Sequence, residues 1–126
     1  MNKVKVTSQK APSAIGPYSQ AIRSGNLLFL SGQIPLDPKT GEIKGDINEQ
    51  TKRCLDNIKG LLEDNSLSLS NVIKSLIFIT DMKNFAKVNE IYSAYFTEPY
   101  PARSCVEVKG LPKGAEVEIE VIAVCE

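Results

Sequence analysis

Glu116-Val117-Glu118-Ile119-Glu120-Val121-Ile122-Ala123-Val124 changes character at every second residue. Side chains along a strand alternate between its two faces. Val117, Ile119, Val121 and Ala123 therefore make one clean core face. The opposite face carries Glu116, Glu118 and Glu120 and then turns apolar at Ile122 and Val124. The preceding strand candidate, Pro101-Ala102-Arg103-Ser104-Cys105-Val106-Glu107-Val108, alternates as well. Ala102, Ser104, Val106 and Val108 point one way; Arg103, Cys105 and Glu107 point the other. If the core faces of the two strands match, Arg103, Cys105 and Glu107 share a face with the glutamates. Alternation sorts residues into faces and leaves the register open.

Working outward, Val72 to Thr80 is long, β-branched and apolar, which predicts a central strand. Lys3 to Thr7 alternates as a short strand, and Ala11 to Tyr18 is a Pro- and Gly-rich loop. Ser19 to Ser24 and Leu27 to Ser31 flank Gly25-Asn26, a hairpin signal. Leu27-Leu28-Phe29-Leu30 is apolar without a break and predicts burial on both sides. Asp46 to Leu62 has an apolar stripe at helical spacing, with Asp46 as N-cap and Glu49 completing a capping box. A second helix is expected from Asn84 to Thr97, its stripe made by Phe85, Val88, Ile91, Tyr92, Tyr95 and Phe96 and its end set by Pro99 and Pro101. The order β-β-β-α-β-α-β-β predicts an α+β domain spanning residues 1–126: one mixed sheet with two helices on one face. The other face is then bare, and Ile122, Val124 and the Leu27–Leu30 strand are too apolar for open water. A partner subunit is the economical cover.

Composition removes whole classes of function. The chain has 126 residues, with Lys plus Arg and Asp plus Glu both 15, so its net charge is about zero and no nucleic-acid partner is expected. No apolar run reaches the ~20 residues of a membrane span. The N-terminus has no long apolar segment of the secretory type, and cytoplasm is the expected location. Three cysteines (Cys54, Cys105, Cys125) lack metal-ligand or disulfide spacing. There is no histidine, which removes His-based triads and Cys–His nucleophile pairs. Among twelve lysines there are only three arginines. An arginine on a strand, as Arg103 is, offers a planar fork that binds carboxylates through two hydrogen bonds, which lysine cannot do.

Five motifs in order carry a resemblance over nearly the whole chain. They are Ala14-Ile15-Gly16-Pro17-Tyr18-Ser19-Gln20-Ala21, Ser31-Gly32-Gln33-Ile34-Pro35, Phe85-Ala86-Lys87-Val88-Asn89, Pro101 to Val108, and Glu118 to Val124. With these the chain resembles the Rid family of reactive intermediate (imine) deaminases, RidA subgroup, also called YjgF proteins. The resemblance implies a chorismate-mutase-like fold and a homotrimer with sites in the clefts between subunits. It implies hydrolysis of 2-imino acids or their enamine tautomers (2-iminobutanoate, 2-iminopropanoate) to 2-oxo acids and ammonia, without cofactor or metal. Removing such intermediates spares pyridoxal-phosphate enzymes.

The resemblance also implies roles. Arg103 grips the substrate carboxylate; the bland alternative is an ion pair with Glu118 or Glu120. Glu118 positions or activates the attacking water, as a carboxylate whose pKa a partly desolvated cleft raises. Glu120 competes for that role, and a solvated strand face is the alternative for both. Cys105 contributes a backbone contact rather than a nucleophile. Tyr18 closes the site or anchors its loop. Ser31 and Gly32 offer hydroxyl and amide donors or simply make a turn. Asn89 serves a neighbouring cleft or is a solvated helix position. Glu107 is expected to be structural. Two further functions stay in view: a non-catalytic trimer that binds 2-oxo acids and signals, and a ribonuclease or translation inhibitor. The latter finds neither a basic groove nor a histidine pair in this sequence.

Overall fold

The computed structural model describes residues 2–125; the outermost residues of the expected 1–126 domain, Met1 and Glu126, lie outside the described residues. Strands β1 (Val4–Val6), β2 (Ala21–Ser24), β3 (Leu27–Leu30), β4 (Val72–Ile79), β5 (Ala102–Glu107) and β6 (Val117–Val124) form one sheet in the order β1-β2-β3-β6-β4-β5. Among the described residues, β4 and β5 are the one parallel pair and the other strand pairs are antiparallel. A parallel pair needs a crossover, and helix α2 (Phe85–Tyr95) supplies it. Helix α1 (Ile47–Glu63) packs on β6 and against α2. The expected α+β architecture, a mixed sheet with two helices on one face, is therefore observed.

Local chemistry sets the helix ends. The Asp46 carboxylate accepts from the Glu49 amide at 3.0 Å, satisfying one of the orphan donors of the first turn of α1. Helix α2 stops at Tyr95, two residues before the expected end, because Phe96 is already extended at φ −118°, ψ 150°. Between the helices and the sheet, Leu55, Ile58, Leu61 and Leu62 of α1 meet Ile77 and Ile79 of β4 and Val117 and Ile119 of β6, all fully buried.

One expectation is reversed. The β4–β5 register puts Arg103 beside Ser75, Cys105 beside Ile77 and Glu107 beside Ile79. Those β4 residues are buried beneath the helices. Arg103, Cys105 and Glu107 therefore lie on the helix side of the sheet, not with the glutamates. The open face holds Ala102, Ser104 and Val106 of β5, with Lys74, Leu76 and Phe78 of β4 and Glu118, Glu120 and Ile122 of β6. The physical reason is position: β5 is an edge strand, and at that edge polar side chains on the helix side reach both solvent and the flank of α2. The open face mixes the charged Lys74, Glu118 and Glu120 with apolar Leu76, Phe78, Val106 and Ile122. Phe29, paired with Ile122, and Val106 are each 41% exposed, so β3 is covered on its core side only.

Candidate active site

The residues expected to form a site fall into two groups. The first surrounds Arg103. Its Nη1 donates to Asn89 Oδ1 at 2.6 Å. Its Cζ lies 5.0 Å from the ring centroid of Tyr92 and 5.7 Å from that of Phe85, within cation–π range. Among the described residues, no carboxylate comes within ion-pair distance of it. An open hollow of about 650 Å³ lies against this group, lined by Asn89, Tyr92, Tyr100, Pro101 and Arg103 among others. Asn89 thus serves Arg103 of its own chain. Cys105, two residues along the same face, is half-buried; burial pushes its thiol pKa up, and the Arg103 charge opposes this without reversing it. The thiol is protonated at neutral pH, which argues against a nucleophile.

The second group surrounds Glu118. Its carboxylate lies over Gly32: a Cβ built on that glycine would be 2.9 Å from Glu118 Cδ and 3.2 Å from Cγ. Backbone bonds between Gln33 and Ile119, at 2.8 and 3.1 Å, hold the two segments together. Burial first, and the neighbouring Glu120 charge second, raise the Glu118 pKa. Glu120 instead borders an apolar hollow with Phe29, Leu76 and Ile122. Ser31 is engaged within the chain, its hydroxyl donating to Ser19 O at 2.6 Å and its amide to Gln20 O at 2.9 Å. Tyr18 is exposed and lines a hollow of about 430 Å³ with Ile15, Gly32 and Ile34. Its loop turns at Gly16, whose φ of 116° favours glycine.

The two groups cannot meet in one chain. β4 separates β5 from β6, a lateral offset of ~10 Å at normal strand spacing. The side chains of Arg103 and Glu118 also leave the sheet on opposite faces. The alternative reading of Arg103, an ordinary ion pair with Glu118 or Glu120, is excluded for the same reason. Glu107 has a structural partner, its Oε1 accepting from the Met82 amide at 2.7 Å. Sequence reasoning missed Ser75 and assigned Tyr92 and Phe85 to core packing alone. Ser75, a hydroxyl in phase with Ile77 and Ile79 on β4, was the available signal; its Oγ lies 2.7 Å from the Tyr92 hydroxyl.

Comparison with known proteins places these groups in context. A family profile described as Endoribonuclease L-PSP matches residues 8–125. A RutC family protein of Pyrococcus abyssi is 55% identical over 124 residues, covering 98% of each chain. The 2-iminobutanoate/2-iminopropanoate deaminase of Escherichia coli is 47% identical over 122 residues, covering 94% of this chain and 95% of that protein. The crystal structure of Escherichia coli TdcF with bound serine superimposes with a TM-score of 0.93 at 46% identity, covering 98% of this chain and 100% of that one.

Proposed function

This chain belongs to the Endoribonuclease L-PSP family, the family of the RidA and YjgF proteins, and from that premise and the site geometry we propose that it is a cytoplasmic deaminase of small 2-imino acids. It converts 2-iminobutanoate, 2-iminopropanoate and their enamine tautomers to 2-oxo acids and ammonia, and so protects pyridoxal-phosphate enzymes. The observation that carries this reading is the separation of two complementary half-sites. Arg103 is a cation with no carboxylate partner among the described residues of its own chain. Glu118 is a carboxylate with a raised pKa and, among the described residues, no arginine within ion-pair distance. A homotrimer brings the Arg103 group of one subunit to the Glu118 group of the next. Support for assembly comes from the exposed apolar residues Phe29 and Val106 on the open sheet face. Three free cysteines fit a reducing compartment.

In the proposed mechanism the substrate carboxylate docks on the free edge of the Arg103 guanidinium, which fixes its position and plane. Tyr18 and the Gly32 backbone line the facing wall. The Cys105 backbone contacts the imine nitrogen. Glu118 takes a proton from water as the water oxygen bonds to C2 and the imine nitrogen takes a proton from solvent. Glu118 then passes its proton to the carbinolamine nitrogen, the hydroxyl proton goes to solvent water, the C–N bond breaks, and nitrogen leaves as ammonia while C2 becomes a carbonyl. No cofactor or metal is required by this balance. Serine in the TdcF relative carries the same α-carboxylate that Arg103 would bind. The ribonuclease implied by the family description lacks comparable support: the chain has no histidine and no net positive charge.

The test is a threonine or serine dehydratase assay supplemented with this protein. Faster 2-oxo acid formation is expected, with loss of the effect in Arg103→Ala. An unchanged rate with the unmodified protein would sink the proposal. Retained 2-oxobutanoate binding with lost turnover in Glu118→Gln separates an enzyme from a binding-only sensor.

A further inference from the structure

We propose that Ser75, Tyr92 and Phe85 form a neutral cradle that positions Arg103 for its anion, with the Ser75–Tyr92 hydroxyl pair as the pin. The inference rests on the carboxylate-binding reading of Arg103 given above. A long arginine side chain on an edge strand facing an open hollow has many rotamers to lose on binding. Here three groups restrict it. Asn89 takes Nη1 at 2.6 Å, and the rings of Tyr92 and Phe85 flank Cζ at 5.0 and 5.7 Å. All three are neutral. A carboxylate would hold the guanidinium equally well, but it would cancel the charge and compete with the substrate for the same donors. Aromatic faces and an amide oxygen orient the cation while leaving its charge for an incoming anion.

The Tyr92 ring is itself held. Its hydroxyl lies 2.7 Å from Ser75 Oγ, and both residues are buried. The ring stacks on Phe96 with centroids 4.4 Å apart. Ser75 is also the register partner of Arg103. The strand neighbour of the arginine therefore anchors the ring against which the arginine rests, tying the guanidinium to the rigid centre of the sheet. Among the described residues the Ser75 hydroxyl has no other partner; buried without Tyr92 it would be an unsatisfied polar group. Ser75, Tyr92 and Phe85 are thus positioning residues that act through Arg103.

Two variants test the cradle. Tyr92→Leu removes the aromatic face and the pin. The double variant Ser75→Ala with Tyr92→Phe removes both hydroxyls, keeps the rings and leaves no orphaned polar atom. Each is measured for thermal midpoint, kcat, KM and inhibition by 2-oxobutanoate. The side-chain Nε–H resonances are recorded in ligand-free protein, where only three arginines contribute. Tyr92→Leu is expected to raise KM and the 2-oxobutanoate inhibition constant roughly tenfold, with kcat within about twofold, and to move the Arg103 resonance as its ring-current shift is lost. The double variant is expected to melt near the unmodified protein yet raise KM about threefold. Unchanged KM and an unmoved Arg103 resonance overturn the proposal, as does a loss confined to kcat and thermal midpoint. If Tyr92→Leu does not fold, the double variant decides by the same criteria. If the unmodified protein shows no turnover, the deaminase reading fails, while the Arg103 resonance still decides the cradle.

Discussion

Gly32→Ala is expected to disable the proposed base without touching it. The added Cβ would stand 2.9 Å from Glu118 Cδ and 3.2 Å from Cγ, and closer still to Oε2. Carbon atoms pack at about 3.5 Å or more, so the carboxylate must retreat by about 1 Å. A misplacement of that size costs on the order of a hundredfold in rate, equivalent to about 2.7 kcal/mol of barrier. Stability should hardly change. Gly32 has no positive φ to lose. Alanine at a compatible position gains about 0.4–1 kcal/mol through the unfolded chain, which offsets the displaced glutamate. The assay is imine hydrolysis coupled to a dehydratase, run beside calorimetric titration with 2-oxobutanoate and thermal unfolding. The expected pattern is a large fall in kcat, 2-oxobutanoate affinity within about threefold, and an unchanged thermal midpoint. Turnover within twofold of the unmodified protein would refute a base held over Gly32. A parallel loss of 2-oxobutanoate affinity would refute it too, because the methyl group would then be blocking the substrate.

If the site is composite, inactive Arg103→Ala and Glu118→Gln chains, unfolded and refolded together in equal amounts, should recover about a quarter of the unmodified activity, the share of clefts receiving both intact halves; no recovery would place both groups in one chain's site. Turnover should fall as pH drops through the raised pKa of Glu118, whose base form is then lost; a pH–rate profile without that acid limb contradicts the assignment. The raised native pKa means that Glu118 adds stability below its unfolded pKa and loses it as pH rises through the native one. Glu118→Gln should therefore be at least as stable as the parent near pH 7 by urea unfolding, with the difference shrinking in acid. Cys105→Ser should keep kcat within about threefold, since only the backbone is asked to act, whereas a loss of several orders of magnitude would restore the nucleophile. Leu55→Ala, at a position with no exposure, should cost about 2–5 kcal/mol by denaturant unfolding.

Much of this molecule is legible in its amino-acid order because the governing forces are local. Period-two alternation exposes β6, helical spacing exposes α1 and α2, and Asp46 marks the start of α1 through a hydrogen bond three residues long in sequence. The absence of histidine and the isolation of Arg103 narrow the chemistry before any coordinate is known. Alternation on β5 also sorts Arg103, Cys105 and Glu107 from Ala102, Ser104 and Val106. It does not say which set faces the helices, because that depends on pairing with β4 and on how far α2 reaches over the edge. Those are contacts between residues distant in the chain, and they place Arg103 on Tyr92 and Asn89 rather than beside Glu118. The residue types of the proposed site are therefore written in the chain, while their division into two half-sites on opposite faces arises only when strand register and helix packing set the direction of each side chain.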